Sequence, residues 1–360
     1  MRLVRQSTFT LGHDSLGEIE REDGNARNLA IGEMKTLSTL DRAILGELTN
    51  DPFASNGAVA EKLGVPTGVV ASRLRALERS KVSQVLAVLD LERMNQSFCF
   101  VHVDVRGRPV VEVAEEIGRR RVVLMVSEFA DGASDLLVLV RYSDTASLRS
   151  ALYEDIANIA GIFSWRVDVV VSVPIFRAEY VTYNEHHRPL SIEDNIAYLK
   201  DDLPKGICDD TDLRIIAHLQ QNAHQSINNV ARELGIKSTT ARYRINNLKN
   251  SNILRFIRVI DQGASGINTF TLAELSVEVG RINAIVEALN DKPWLPQLFV
   301  CAGNATLVGI LLTESAEEVI RIKREELLAI PGIYDVTLSY LFKTHKTDYR
   351  WAQEPSAAMA

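Results

Sequence analysis

Between Gly235 and Ser251 the chain carries Lys237, Arg242, Arg244 and Lys249 with no acidic residue among them, and Arg255 and Arg258 follow shortly after. Ser238, Thr239, Thr240, Tyr243 and Asn247 are interleaved with these bases. Guanidinium and ammonium groups neutralise phosphates, while hydroxyl and amide side chains hydrogen-bond the edges of bases. A helical period puts Ala241, Ile245 and Leu248 on a buried face and turns Arg242, Arg244 and Asn247 outward. Leu234-Gly235 ends a shorter helix just before. Two helices at this spacing make a helix-turn-helix, whose second helix enters a DNA groove. Ser238, Thr239, Thr240, Arg242 and Tyr243, early in that helix, are the expected base readers. Lys237, Asn247, Lys249, Arg255 and Arg258 are expected to flank them on the phosphates. Arg244 has a second reading, pairing with an acid of the preceding first helix such as Asp212.

The same arrangement occurs 171 residues earlier, at Leu63-Gly64-Val65 followed by Arg73, Leu74 and Leu77. Its expected DNA contacts are Thr67, Ser72, Arg73, Arg75 and Arg79. The copies differ in charge. Cys208 to Asp261 holds eight Arg and Lys against five Asp and Glu, net +3; Leu37 to Asp90 holds six of each, net zero. The second head is therefore expected to bind DNA more strongly. The whole chain carries a net charge of −7, which does not oppose DNA binding because a local basic face decides it.

The elements that must hold these helices follow a regular programme. Ser38 to Asp41 resembles a capping box opening a helix that buries Ile44, Leu45 and Leu48. Ser55 caps a helix ending at Gly64, and Val85 to Asp90 alternates as a strand, suggesting a wing. Residues 98–173 then read as strand, helix, two strands joined by a turn at Gly132, helix and strand. That βαββαβ order is ferredoxin-like. At Asp209 the programme restarts: Ser226 stands where Ser55 stood, Gly235 where Gly64 stood, and Gly303 where Gly132 stood. No insertion or deletion is needed, so this is a tandem duplication. The fold class is α+β, with two winged helix-turn-helix domains alternating with two ferredoxin-like domains. The expected boundaries are a flexible arm 1–36, winged head 37–92, sheet domain 96–174, linker 175–207 with a short helix near 192–199, head 208–262, sheet domain 266–345 and tail 346–360.

This ordered set resembles the Lrp/AsnC family of transcriptional regulators. The residues that carry the resemblance are Leu40-Asp41-Arg42-Ala43-Ile44-Leu45, Leu63-Gly64, Arg73-Leu74 and Leu77-Glu78, with Asp212, Ile215-Ile216, Leu234-Gly235, Arg244-Ile245 and Leu248 in the second copy. Gly132-Ala133-Ser134-Asp135 is similar to the family's G-x-x-D turn. The resemblance implies a cytoplasmic regulator of double-stranded DNA whose sheet domains pair and bind an amino acid or similar small effector. It places effector contacts at Gly132, Ser134 and Asp135, and at Gly303, Asn304 and Thr306. The second turn reads Gly303-Asn304-Ala305-Thr306 and lacks the acid. Where the family has Ser after the turn, this chain has Pro66 and Lys237, so Thr67 or Ser238 is expected to cap one residue later. Two units in one chain predict an internal pseudo-dimer or a swapped one, and a homodimer or homotetramer of chains.

Other classes find little support in the sequence. The seven histidines form no cluster with an Arg at matched positions in the two copies, and no catalytic or metal-ligand constellation is visible. No metal, cofactor or catalytic residue is therefore expected, and the chain is read as a non-enzyme. The alternatives are an Lrp-like enzyme of the siroheme decarboxylase type and an oligomerisation module that no longer touches DNA. His186 and His187 are read as a solvated pair. Cys99, Cys208 and Cys301 are far apart and read as free thiols. No window approaches the roughly 18–20 apolar residues of a membrane span.

Overall fold

Both heads begin with a side chain that satisfies helix N–H groups. The computed structural model describes residues 37–130, 134–177, 191–202, 206–261, 267, 269–348 and 350–352. In the first head, Ser38 and Asp41 form a reciprocal capping box that opens α1 (Thr39–Asn50). Ser55 caps α2 (Asn56–Leu63), which stops at Gly64 in the left-handed conformation, φ 67°. A residue with a Cβ is strained there, so glycine ends the helix sharply. α3 (Thr67–Arg79) follows. Leu40, Ile44, Leu48, Val59, Ala60 and Val70 form this head's own core. The chain divides after Val82, and the first head is a compact unit by itself.

Everything from Ser83 onward forms the other unit. Its strands and helices are β1 (Ser83–Asp90), β2 (Ser97–Val105), α4 (Val110–Gly118), β3 (Val123–Phe129), β4 (Leu136–Tyr142), α5 (Thr145–Ser150) and β5 (Ile162–Phe176). Then come α6 (Ile192–Asp202) and the second head: α7 (Asp210–Gln221), α8 (Ile227–Leu234) and α9 (Ser238–Asn250). The wing strand β6 (Leu254–Ile260) closes that head, and the second sheet domain follows with β7 (Thr269–Val277), α10 (Ile282–Leu289), β8 (Gln297–Ala302), β9 (Leu307–Thr313), α11 (Ala316–Arg321) and β10 (Ile333–Thr347), with β11 (Trp351–Ala352) after it. The second head repeats the first: Asp209 and Asp212 make its capping box, Ser226 caps α8, and Gly235 ends it at φ 66°.

The two βαββαβ copies each form a four-stranded sheet in ferredoxin-like order, β5-β2-β4-β3 and β10-β7-β9-β8. β5 pairs antiparallel with β8, and β10 with β3, so the two sheets join edge to edge into a closed eight-stranded barrel. Of the two arrangements the duplication allowed, the structure takes the internal pseudo-dimer. α4 and the π-helical segment Ala151–Ile156 that continues α5 pack on one outer face over Val101, Val103, Val123 and Val138. α10 covers the other with Leu275, Leu298, Leu307 and Leu311. The alternate side chains, among them Phe98, Phe100, Leu137, Leu272, Phe299 and Val308, fill the interior. Phe100 and Phe299 meet edge-on at 5.1 Å. Burial pushes the Cys99 thiol up to about 12 and raises that of Cys301 as well, so neither is a nucleophile at neutral pH.

The strand expected as each head's wing pairs with its counterpart in the other copy. β1 and β6 run antiparallel, with Leu86 opposite Ile257, its own repeat equivalent, at the centre of the ladder. The tail expected from residue 346 is a correction. β10 runs on to Thr347, Asp348 is buried against Arg350, and β11 adds to β1 with Trp351 opposite Leu89. The linker helix is longer than expected and docks Tyr198 and Leu199 into the core, where Tyr198 accepts a hydrogen bond from Arg141 at 3.0 Å and stacks under Arg350. The arm 1–36, His13, Gly132, His186, His187 and residues 353–360 lie outside the described residues. Among the described residues no helix is long and apolar enough to cross a membrane. Because Trp351 is buried among β1 and second-head residues, Trp351→Ala should lower unfolding stability by about 3–5 kcal/mol in urea denaturation, against near-neutrality for an unanchored tail.

Candidate nucleic-acid interface and ligand turns

α9 buries Ala241, Ile245 and Leu248 and leaves one polar face open. Lys237, Ser238, Thr239, Thr240, Arg242, Tyr243, Asn247 and Lys249 are all exposed, with the Tyr243 ring 68% accessible. Neither Pro66 nor Lys237 makes a side-chain cap, and Thr67 and Ser238 are the first helical residues rather than late caps. The start of α9 thus keeps backbone N–H groups with no intrahelical partner beside its hydroxyl residues. A basic, hydroxyl-rich first turn with unspent N–H groups is suited to phosphates and base edges.

Arg244 takes its second reading. Its Nη1 donates to Asp209 Oδ2 at 2.7 Å and to Asp212 Oδ1 at 2.9 Å, tying α9 to the capping box of α7. The Asp212 N–H and the Arg244 guanidinium hold the Asp209 carboxyl below the usual carboxylate range. Arg73 does the same in the first head: Nε donates to Asp41 Oδ1 at 2.8 Å and Nη2 to Ser38 Oγ at 3.2 Å. Both arginines are braces within a head, a correction to their place among DNA contacts. Arg255 and Arg258 are corrected too. They lie on β6, where Arg258 is buried and donates to Ser83 Oγ at 3.1 Å and Arg255 stands 3.6 Å from the buried Asp90 carboxylate. β-sheet pairing turns them into the molecule, which no reading of local charge could reveal. In the first head Thr67, Ser72, Arg75 and Arg79 are exposed, with Arg75 Nε donating to the Ala71 carbonyl of its own helix at 2.9 Å. Replacing Arg244 with Ala should cost roughly 1 kcal/mol of stability, whereas Arg242→Ala should change it by less than about 0.5 kcal/mol; paired denaturation curves check this.

The turns expected to hold an effector are engaged internally. Ser134 is buried, and the Asp135 carboxylate accepts the Val105 N–H at 2.6 Å where β2 bulges against β5. Asp135 therefore secures a strand end, the role its position at a turn allowed. In the second turn the missing acid is supplied from the other copy. Asp168, on β5, accepts the N–H of Asn304 at 2.5 Å and of Ala305 at 3.3 Å. A Cβ at Gly303 would overlap this carboxylate and lie 2.9 Å from the Val167 carbonyl, so glycine is required by close approach. The Thr306 carbonyl accepts the Cys301 N–H at 2.9 Å and closes the turn. Burial works against the charge on Asp168, but the His102 ring and these two N–H groups outweigh it and hold the carboxyl low.

The sequence showed no cluster of ionisable groups, yet the barrel interior has one. His102 on β2, Arg166 and Asp168 on β5, and Glu274 on β7 meet there. Their signal was present but weak: each is an ionisable residue in a mostly apolar strand, and His102 and Glu274 lie 64 to 172 residues from the residues they meet.

The winged helix-turn-helix DNA-binding family profile matches this chain twice, at residues 37–82 and 209–255. The HTH-type transcriptional regulator FL11 of Pyrococcus furiosus is 24% identical over 143 residues, spanning 39% of this chain and 94% of its own length. A relative of that size corresponds to one of the two copies. Among solved structures, the siroheme decarboxylase NirDL covers 85% of this chain and 92% of its own, with a TM-score of 0.53 and 12% identity. AsnC of E. coli covers 39% of this chain and 97% of its own, with a TM-score of 0.36 and 18% identity.

Proposed function

We propose that the chain is a DNA-binding transcriptional regulator of the Lrp/AsnC type with that family's unit duplicated in tandem, that its second head supplies most of the affinity for operator DNA, and that its sheet domains sense a small metabolite. The observation that carries the first part is the face of α9. Once Arg244, Arg255 and Arg258 are spent inside the protein, Lys237, Arg242 and Lys249 remain exposed with Ser238, Thr239, Thr240 and Tyr243 between them. The first head offers Arg75 and Arg79 on a net-neutral background and plays a secondary part.

An amino acid or related small acid is the effector class we favour. The resemblance carries this choice; the second turn's two backbone N–H groups show the geometry that clasps a carboxylate, but Asp168 already occupies them. Self-association of chains belongs to the same reading. Phe163 and Tyr334, and Val171 and Phe342, are exposed apolar pairs 171 residues apart and give the molecule matched patches. The same reading takes the chain as a non-enzyme, since likeness to NirDL at 12% identity speaks for architecture alone.

Replacing Arg242 and Lys249 together with Ala should weaken binding to DNA from upstream of the gene and lower the slope of log affinity against log salt by about 1.8, the value for two phosphate contacts on duplex DNA. An unchanged slope would remove α9 from the interface. For the effector, the full chain should show saturable heat on titration with one member of an amino-acid and small-acid panel, and that member alone should shift its affinity for DNA. If no member does both, the metabolite reading is lost.

A further inference from the structure

His102, Asp168 and Glu274 each present a ligand atom to one point inside the barrel, all within 4.8 Å of one another. His102 Nε2 is 3.5 Å from Asp168 Oδ2 and 4.0 Å from Glu274 Oε1. Donors around a tetrahedral zinc-class ion, with bonds of about 2.0–2.2 Å, stand roughly 3.4 Å apart. The residues are fully buried or nearly so, at 1%, 0% and 7% exposure. Among the described residues His102 Nε2 and Asp168 Oδ2 face only each other, at 3.5 Å, too far apart for a good hydrogen bond. Buried polar atoms are ordinarily paired more closely, so an ion between these two would give both a nearer partner.

One cation already serves part of this pocket. Arg166 Nη2 lies 2.7 and 2.8 Å from the Glu274 carboxylate oxygens and 3.0 Å from His102 Nδ1. A guanidinium only donates, so Nδ1 accepts and the neutral ring carries its proton on Nε2. Half of the pocket is thus satisfied by Arg166, whose side chain is 34% exposed and can swing outward. The other half, Nε2 with Oδ2, is not.

We propose that His102, Asp168 and Glu274 form a site for one divalent transition-metal ion of the zinc class, with Arg166 as the internal cation that the metal displaces. On binding, Glu274 exchanges the guanidinium for the metal and the His102 ring changes tautomer: Nε2 releases its one proton to solvent and turns its lone pair to the metal, while Nδ1, freed from Arg166, takes up a proton from solvent, so the ring stays neutral. One imidazole and two carboxylates suit zinc, cobalt or iron better than magnesium or calcium, which demand all-oxygen shells. The site occurs once per chain. The repeat equivalents of His102, Asp168 and Glu274 are Ala273, Ser339 and Val103, which cannot ligate. The metal would join the two copies across the barrel and, through Asp168, fix the Gly303–Ala305 turn. This inference does not depend on the metabolite reading, since it is tested without DNA or effector.

The test is titration of the metal-stripped full chain with Co²⁺ followed by its visible d–d absorption, with Zn²⁺ as competitor. The expected result is one Co²⁺ per chain with tetrahedral-type intensity, lost in both His102→Ala and Glu274→Gln. Arg166→Gln should bind at least about tenfold more tightly, because it removes a positive charge beside the metal. That gain separates a metal site from a mere folding defect. No stoichiometric binding, binding that survives in both loss variants, or weaker binding in Arg166→Gln overturns the proposal.

Discussion

The pairing of β5 with β8 and of β10 with β3 is the interaction on which the rest of this structure depends. Each βαββαβ copy alone would expose two open strand edges and one apolar sheet face, an arrangement prone to uncontrolled association. Closing the two sheets on each other removes the edges and buries Phe98, Phe100, Leu137, Leu272, Phe299 and Val308 in a shared interior. The β1–β6 ladder, centred on Leu86 and Ile257, and the docking of β11 follow from having both copies held in this relation.

Closure within one chain has a chemical consequence. In a homodimer every substitution appears twice, once on each side of the dyad. Here the copies are free to differ, and they do. His102, Arg166 and Asp168 come from the first copy and Glu274 from the second, while the equivalent positions hold Ala273, Thr337, Ser339 and Val103. A single asymmetric charge cluster therefore sits near a symmetric interface. Asp168 also completes a turn in the opposite copy, where Thr306 stands in place of the acid of the G-x-x-D pattern. The heads have diverged as well: the second shares the barrel's core and carries the excess positive charge, and the first keeps a core of its own.

One feature did not diverge. Arg73 with Asp41 and Arg244 with Asp212 make the same brace between the third and first helix of a head. An arginine in that place orients the recognition helix by holding its middle, which leaves the first turn and the outer face for DNA. The residues most conspicuous by charge are thus divided between holding the helix and using it.

The helices, their caps and the duplication were legible in the sequence because they rest on local rules: Ser55 and Ser226 at N-caps, Gly64 and Gly235 in left-handed C-caps, and apolar residues at helical spacing. The two ferredoxin-like orders followed from strand and helix succession, and the exposed face of α9 from its period. Partners far apart in sequence were not legible. Arg255 and Arg258 looked like phosphate contacts until β6 paired with β1 and turned them inward, and the final residues looked like a tail until Trp351 docked beside Leu89. The cluster of His102, Arg166, Asp168 and Glu274 is assembled in two steps: pairing of β2 with β5 within the first copy sets His102 opposite Arg166, and closure of the barrel brings Glu274 of the second copy to them. Local propensity is written residue by residue, whereas the neighbours of a buried charge are chosen by register, and register belongs to the tertiary fold.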